Sequence, residues 1–387
     1  MSPDRRRFLQ FLAASPLLPH LRGQQLTKAG EALSVMDFEA AARLALPPAH
    51  WGYMASGVDD DLTLKVNHEA FQHYRLRVRR LVDGSKPDLR TEVFGQMWES
   101  PVFICPCGSQ RAFHPDGELA TARAAANKQT QMILSTQTSI PIEEVNKTYG
   151  KPVWFQLYTT SRWDATEKLV KRAEDSGSPV LVFTVDQQAG RNTETQARIR
   201  PQDTRNCGAC HEGGGPATFS QQGKPMYAGI DTGSLALVEP ALTWTSVDRL
   251  KKFTRMKIVL KGIVTREDAI LARQHGADGI IVSNHGGRAE ESGLATIDCL
   301  AEVVDGAGPI PVMVDGGFRR GTDVYKALAL GARAVGIGRP YLWGLSAFGQ
   351  AGVERVLDIL RAELQLIMRQ CGTPAIKQIT KASVQRA

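Results

Sequence analysis

The chain has 387 residues, 42% apolar, 22% charged and 7% aromatic, a globular composition that excludes long disorder, collagen-like repeats and a membrane bundle. At about 150 residues per domain the length suggests two or three domains, although an α/β barrel uses about 250 residues as one. The formal charge of +7 lies mostly at the ends, with +3 in residues 1–23 and +3 in residues 376–387; the +1 left for the body gives no summed basic excess for a nucleic-acid backbone.

Taken in chain order, the first feature is Asp4-Arg5-Arg6-Arg7-Phe8-Leu9 running into the short apolar stretch Phe11–Leu18. A basic patch before a short apolar segment is a signal-peptide pattern, and adjacent arginines followed by Phe-Leu resemble a bacterial twin-arginine export signal. Residues 1–30 are therefore expected to act as a periplasmic export signal, with a frayed basic helix on a cytoplasmic protein as the alternative. No apolar run approaches the roughly 20 residues that span a bilayer.

From about residue 100, eight short apolar runs recur: Val102–Pro106, Met132–Ser135, Val153–Tyr158, Val180–Asp186, Lys257–Lys261, Gly279–Ser283, Val312–Asp315 and Ala334–Gly338. Helix-like stretches separate them. One starts after Thr265, a side chain able to cap it; another is expected after Thr322, with Gly331 as its stop. Strands apolar on both faces, alternating with helices, predict a buried parallel sheet, and eight such units fit an α/β fold of the (β/α)8 TIM-barrel type. The absence of a GxGxxG after the first strand disfavours a dinucleotide-binding sheet. Residues 31–100 form an N-terminal helical extension covering the barrel, residues 101–387 the barrel itself, and residues 190–245 a long loop insertion after strand 4.

Barrel active sites form at the C-terminal ends of the strands. That rim would gather Cys107, Ser135, Gln156, Tyr158, Thr184, Asp186, Lys261, His285, Arg288, Asp315 and Arg339. An inward Lys261 is costly unless it faces an anion or an electron-rich ring. In Ser283-Asn284-His285-Gly286-Gly287-Arg288, a histidine able to accept a proton near neutrality sits three residues from an arginine able to pair with a carboxylate. Asp186 could stabilise an imidazolium there, and the Tyr158 hydroxyl could donate to developing charge. Asp315-Gly316-Gly317-Phe318-Arg319-Arg320-Gly321-Thr322 and Gly336-Ile337-Gly338-Arg339-Pro340 fill the loops after strands 7 and 8, where barrels hold phosphate. Their glycines would permit close backbone approach and both Arg319 and Arg320 would add charge, so a phosphate-bearing cofactor is expected.

These motifs closely resemble the FMN-dependent L-2-hydroxy-acid oxidases and dehydrogenases, the group of glycolate oxidase, lactate oxidase and mandelate dehydrogenase, over about residues 36–380. The resemblance implies oxidation of a 2-hydroxy acid to the 2-oxo acid, with His285 as base, Asp186 as its partner and the flavin N5 taking the hydride equivalent. It implies Tyr158 for transition-state stabilisation and Tyr53 with Arg288 for the substrate carboxylate. It implies Lys261 at the flavin N1/O2 edge, Ser135, Gln156 and Thr184 as ring contacts, and a backbone contact near Cys105, Pro106 and Cys107. Asp315, Gly317, Arg319, Gly338 and Arg339 would then meet the ribityl phosphate. Two departures stand out. Gln137 occupies a substrate-facing position where an aromatic is frequent. After Asp186 the chain is one residue short, so Asn192 replaces a second carboxylate-binding arginine, for which Arg191 is the candidate substitute. A substrate larger or less acidic than a small 2-hydroxy acid follows from these changes. The electron acceptor is expected to be O2, a quinone or a cytochrome, and the oligomer a homo-oligomer such as a tetramer. The competing reading is a flavin or haem electron carrier with an altered substrate pocket.

Inside the insertion lies Cys207-Gly208-Ala209-Cys210-His211, the attachment motif for c-type haem, with a periplasmic disulfide or a zinc half-site as alternatives. An export signal and a reduced flavin in need of an acceptor favour covalent haem c, with Met226 as candidate second axial ligand. Of the six cysteines, Cys299 and Cys371 have no assigned role.

Overall fold

Eight parallel strands close into a barrel in the computed structural model, which describes residues 26–387 apart from 188, 204–222, 234, 237–238 and 240. The strands are β1 (Val102–Ile104), β2 (Gln131–Ser135), β3 (Trp154–Leu157), β4 (Val180–Thr184), β5 (Lys257–Ile263), β6 (Gly279–Val282), β7 (Val312–Val314) and β8 (Ala334–Ile337). Each pairs with its sequence neighbour, and β8 returns to β1 through the register Gly336 to Phe103. Helices α1 (Gly117–Asn127), α2 (Ile142–Tyr149), α3 (Trp163–Asp175), α4 (Trp244–Phe253), α5 (Arg266–Gln274), α6 (Thr296–Ala307), α7 (Gly321–Ala329) and α8 (Arg339–Gln370) follow the strands in turn. All eight strands expected from the sequence are present, with ends shifted by one or two residues.

The twofold alternation of strand side chains sorts the core into two clusters. One lies between the strands and the helices. The other fills the barrel and contains Phe103, Ile133, Trp154, Val182, Val259, Ile281, Met313 and Ala334. A hairpin, Thr91–Val93 with Gln96–Trp98, caps the N-terminal mouth: the Trp98 ring lies 5.3 Å from that of Trp154 and 6.3 Å from that of Phe103. Cys299 and Cys371 are buried thiols in the outer cluster.

Helix α5 is capped as expected, with Thr265 Oγ1 accepting from the Asp268 amide at 3.3 Å. Helix α7 begins one residue before Thr322, at Gly321, because Asp323 folds back to accept from the Arg319 and Arg320 amides, both at 2.9 Å. The covering extension contributes helices Asp37–Ala45, Pro48–Ala55 and Leu62–Glu69. The insertion after β4 opens with the helix Glu194–Ile199, where Ile199 packs against Gly52 of the cover. Met226 is 1% exposed and lies in the outer core cluster. Cys207, Cys210 and His211, and the arginines of residues 5–7, lie outside the described residues.

Candidate active site

Moving two residues along each strand from the apolar layer reaches the C-terminal mouth and a different chemistry. Ile133 is followed by Ser135, Trp154 by Gln156, Val182 by Thr184, Val259 by Lys261, Ile281 by Ser283 and Met313 by Asp315. The same pleat that fills the barrel with hydrocarbon therefore stacks a polar layer on top of it. Its members are linked. Ser135 Oγ donates to Gln156 Oε1 and Gln156 Nε2 donates to Thr184 Oγ1, each at 3.0 Å. Lys261 Nζ donates to Ser283 Oγ at 2.7 Å, and that hydroxyl in turn donates to Asp315 Oδ1 at 2.7 Å. Burial disfavours the Lys261 ammonium, but Asp315 at 3.5 Å and Asp186 at 3.9 Å outweigh it and hold the lysine charged.

Above this layer opens a cavity of about 400 Å³. Among the residues lining it are Tyr53, Cys107, Ser135, Tyr158, Asp186, Arg191, Lys261, His285, Arg288, Asp315, Gly317, Arg319, Gly338 and Arg339. Gln156 and Thr184 sit just below, reached through Ser135. His285 Nδ1 lies 2.9 Å from Asp186 Oδ1, and its Nε2 lies 3.2 Å from the Tyr158 hydroxyl. Gln187, to which the sequence pattern assigns no role, places Nε2 3.1 Å from the same imidazole nitrogen. Burial lowers the His285 pKa, Asp186 opposes that effect, and Lys261 adds to it; the net direction is down. Burial would raise Asp186, but His285 and Lys261 reverse the direction and keep it a carboxylate. Burial also raises the Tyr158 phenol, so it stays protonated. His285 itself has a left-handed backbone, φ +57°, an uncommon conformation for a residue with a side chain and one that marks functional sites.

Arg288 Nη1 donates to the carbonyls of Tyr53 at 2.6 Å and Ser56 at 2.8 Å, and its guanidinium lies 4.6 Å from the centre of the Tyr53 ring. Arg339 donates to the carbonyls of Met54, Gly286 and Ser56 at 2.8, 2.8 and 2.9 Å. Arg319 stacks on Trp343 at 4.6 Å. Of the two arginines expected to supply charge after β7, only Arg319 lines the cavity; Arg320 turns outward to Glu363 at 2.7 Å. Asn192 likewise faces away, donating to Asp59 at 2.8 Å, whereas Arg191 is on the cavity wall.

The glycines of the rim loops have a second reason to be glycine. A Cβ on Gly287, where φ is +75°, would stand 2.5 Å from the Leu64 amide. A Cβ on Gly317, where φ is +82°, would overlap the Asn67 carbonyl. Both neighbours belong to the cover helix Leu62–Glu69, so these two glycines admit the cover as well as bordering the cavity.

The comparisons with known proteins agree with this geometry. The family model described as FMN-dependent dehydrogenase matches residues 42–386. The chain belongs to the FMN-dependent dehydrogenase family. A peroxisomal (S)-2-hydroxyacid oxidase of Arabidopsis thaliana is 40% identical over 356 residues, covering 91% of this chain and 96% of that protein. Glycolate oxidase 1 of Oryza sativa subsp. indica is 41% identical over 360 residues, covering 92% and 96%. Among solved structures, a soluble mutant of the membrane-associated (S)-mandelate dehydrogenase from Pseudomonas putida superposes with a TM-score of 0.80 at 32% identity, covering 92% of this chain and 100% of that one. Membership of the FMN-dependent dehydrogenase family makes this chain an oxidoreductase, and its residues suit the cofactor. Burial pushes Arg319 down to about 10, and burial with repulsion from Arg288 and Arg319 pushes Arg339 down to about 9. The buried Arg319 and half-buried Arg339, neither in a salt bridge with a carboxylate among the described residues, fit a dianionic phosphate.

Proposed function

We propose that this enzyme oxidises an (S)-2-hydroxy acid to the 2-oxo acid. The observation that carries the reading is the Asp186–His285–Tyr158 chain lining one cavity together with Arg288. Arg319 and Arg339 would hold the phosphate of FMN, and Ser135, Gln156, Thr184, Lys261 and the Cys107 segment would border its ring; the cofactor would supply a two-electron acceptor. Arg288 spends Nη1 on two carbonyls, which leaves its Nε/Nη2 edge for a bidentate carboxylate over the Tyr53 ring. Arg191 supplies the second cation that Asn192 does not. His285, neutral because it is buried, takes a substrate proton, and Asp186 stabilises the imidazolium that results. Tyr158, held protonated, donates to oxygen charge that develops beside it. The oxidised product leaves with two hydrogens fewer, and the electrons pass to O2, a quinone or a cytochrome. Cys207, Cys210 and His211 supply a motif for a covalent haem that would receive them, in a protein exported through its arginine pair and assembled as a tetramer.

The test is anaerobic. Holoenzyme mixed with a panel of L-2-hydroxy acids should lose its yellow absorbance with at least one of them. Bleaching by none would overturn the reading. A sharp reduced α band that stays with the polypeptide after denaturation would establish haem on the same sample.

A further inference from the structure

Ser109 and Gln137 both line the cavity, joined by the Ser109 amide donating to the Gln137 carbonyl at 2.8 Å, and neither side chain stands alone. Lys224, 6% exposed, donates from Nζ to Ser109 Oγ at 2.6 Å. Gln137 Nε2 donates to the hydroxyl of Tyr227, 3% exposed, at 3.0 Å. Lys224 and Tyr227 lie on one short turn of the insertion after β4, and Arg172 of α3 fastens that turn by donating to the Pro225 carbonyl. Ser109 has a left-handed backbone, φ +54°, that glycine would occupy without strain. The serine uses its side chain there, Oγ accepting from Lys224. A hydroxyl that accepts from an ammonium turns its single proton elsewhere and becomes a stronger donor. Where an apolar substrate side chain would call for hydrocarbon, this wall offers a charge-backed O–H and an amide fixed by a buried phenol.

We infer that Ser109, backed by Lys224, and Gln137, backed by Tyr227, form a distal subsite that selects 2-hydroxy acids ending in a second carboxylate. The inference rests on the proposed oxidation of 2-hydroxy acids and adds the substrate class. It keeps the expectation of a larger substrate and replaces the less acidic one.

Isosteric pairs test it: L-malate against L-2-hydroxy-4-methylpentanoate, and L-2-hydroxyglutarate against L-2-hydroxy-5-methylhexanoate, each followed by stopped-flow flavin reduction. The dicarboxylate of at least one pair should have a kcat/KM at least about tenfold higher than its isostere. In Ser109→Ala and Lys224→Met that ratio should fall toward one, through the substrate affinity more than the saturating reduction rate. Ser109→Ala, a small change, keeps the test valid should Lys224→Met fail to fold. Faster reduction by both alkyl acids, or a ratio unmoved in Ser109→Ala, overturns the subsite while leaving the oxidation standing. No reduction by any 2-hydroxy acid would instead overturn the oxidation itself.

Discussion

Asp186 and His285 illustrate how a buried pair sets a protonation state. Each is shifted downward, so the resting pair is carboxylate and neutral imidazole, the form that can accept a proton. The acid limb of kcat/KM is therefore expected with its midpoint below the ordinary histidine value of about 6.5. Asp186→Asn removes the charge that raises His285; the midpoint should move lower still and the rate fall by about two to four orders of magnitude. A midpoint at or above 6.5 in the wild type would contradict the assignment. The stability sign follows from linkage: the unfolded histidine binds its proton more readily than the folded one. The protein gains from this group above pH 6.5 and loses that gain as the pH drops from 6.5 toward the folded value. His285, Arg288, Lys261 and the two phosphate-loop arginines on the cavity wall were readable from residue type and position after a strand. Gln187 was not, because an amide beside an aspartate carries no pattern; only the fold brings it to His285. Arg320 was misread because two adjacent arginines look equivalent until α7 begins and one of them meets Glu363.

At the scale of elements, the rim loops and the cover are one construction. Gly317→Ala forces a Cβ onto the Asn67 carbonyl at a positive φ, and should lower the unfolding free energy by at least about 2 kcal/mol, read from the urea midpoint. A neutral result would mean the cover helix can slide away. The strands themselves were legible, since continuous apolar runs at regular spacing admit few other arrangements. The layer of Ser135, Gln156, Thr184, Lys261, Ser283 and Asp315 was legible as strand ends, but its linkage was not: Ser283 joins Lys261 to Asp315 only when β5, β6 and β7 lie side by side. Met226 was legible as an apolar residue, but its place in the outer core cluster was not.

For the whole molecule, the net charge of +7 says little about partners, because the charges that matter are a few buried arginines in a body near neutrality. Apoenzyme should gain several degrees in thermal midpoint from saturating FMN and distinctly less from riboflavin, which lacks the phosphate. In Arg319→Gln the two should become nearly equal. Equal stabilisation in the wild type would show that the guanidinium pair does not hold phosphate.

Gly287 and Gly317 close the cover helix Leu62–Glu69 into the rim through contacts that no side chain could occupy. The cover and the two loops consequently cannot diverge separately. A chimera that takes residues 31–100 from one relative and the barrel from another would need matching shapes at Leu64 and Asn67, and also at the start of the insertion after β4, where Ile199 meets Gly52 and Asn192 donates to Asp59. Variation in what the enzyme oxidises would then accumulate in the later turn of that insertion, at Lys224 and Tyr227, while the cover, its loops and the helix Glu194–Ile199 are inherited as a block.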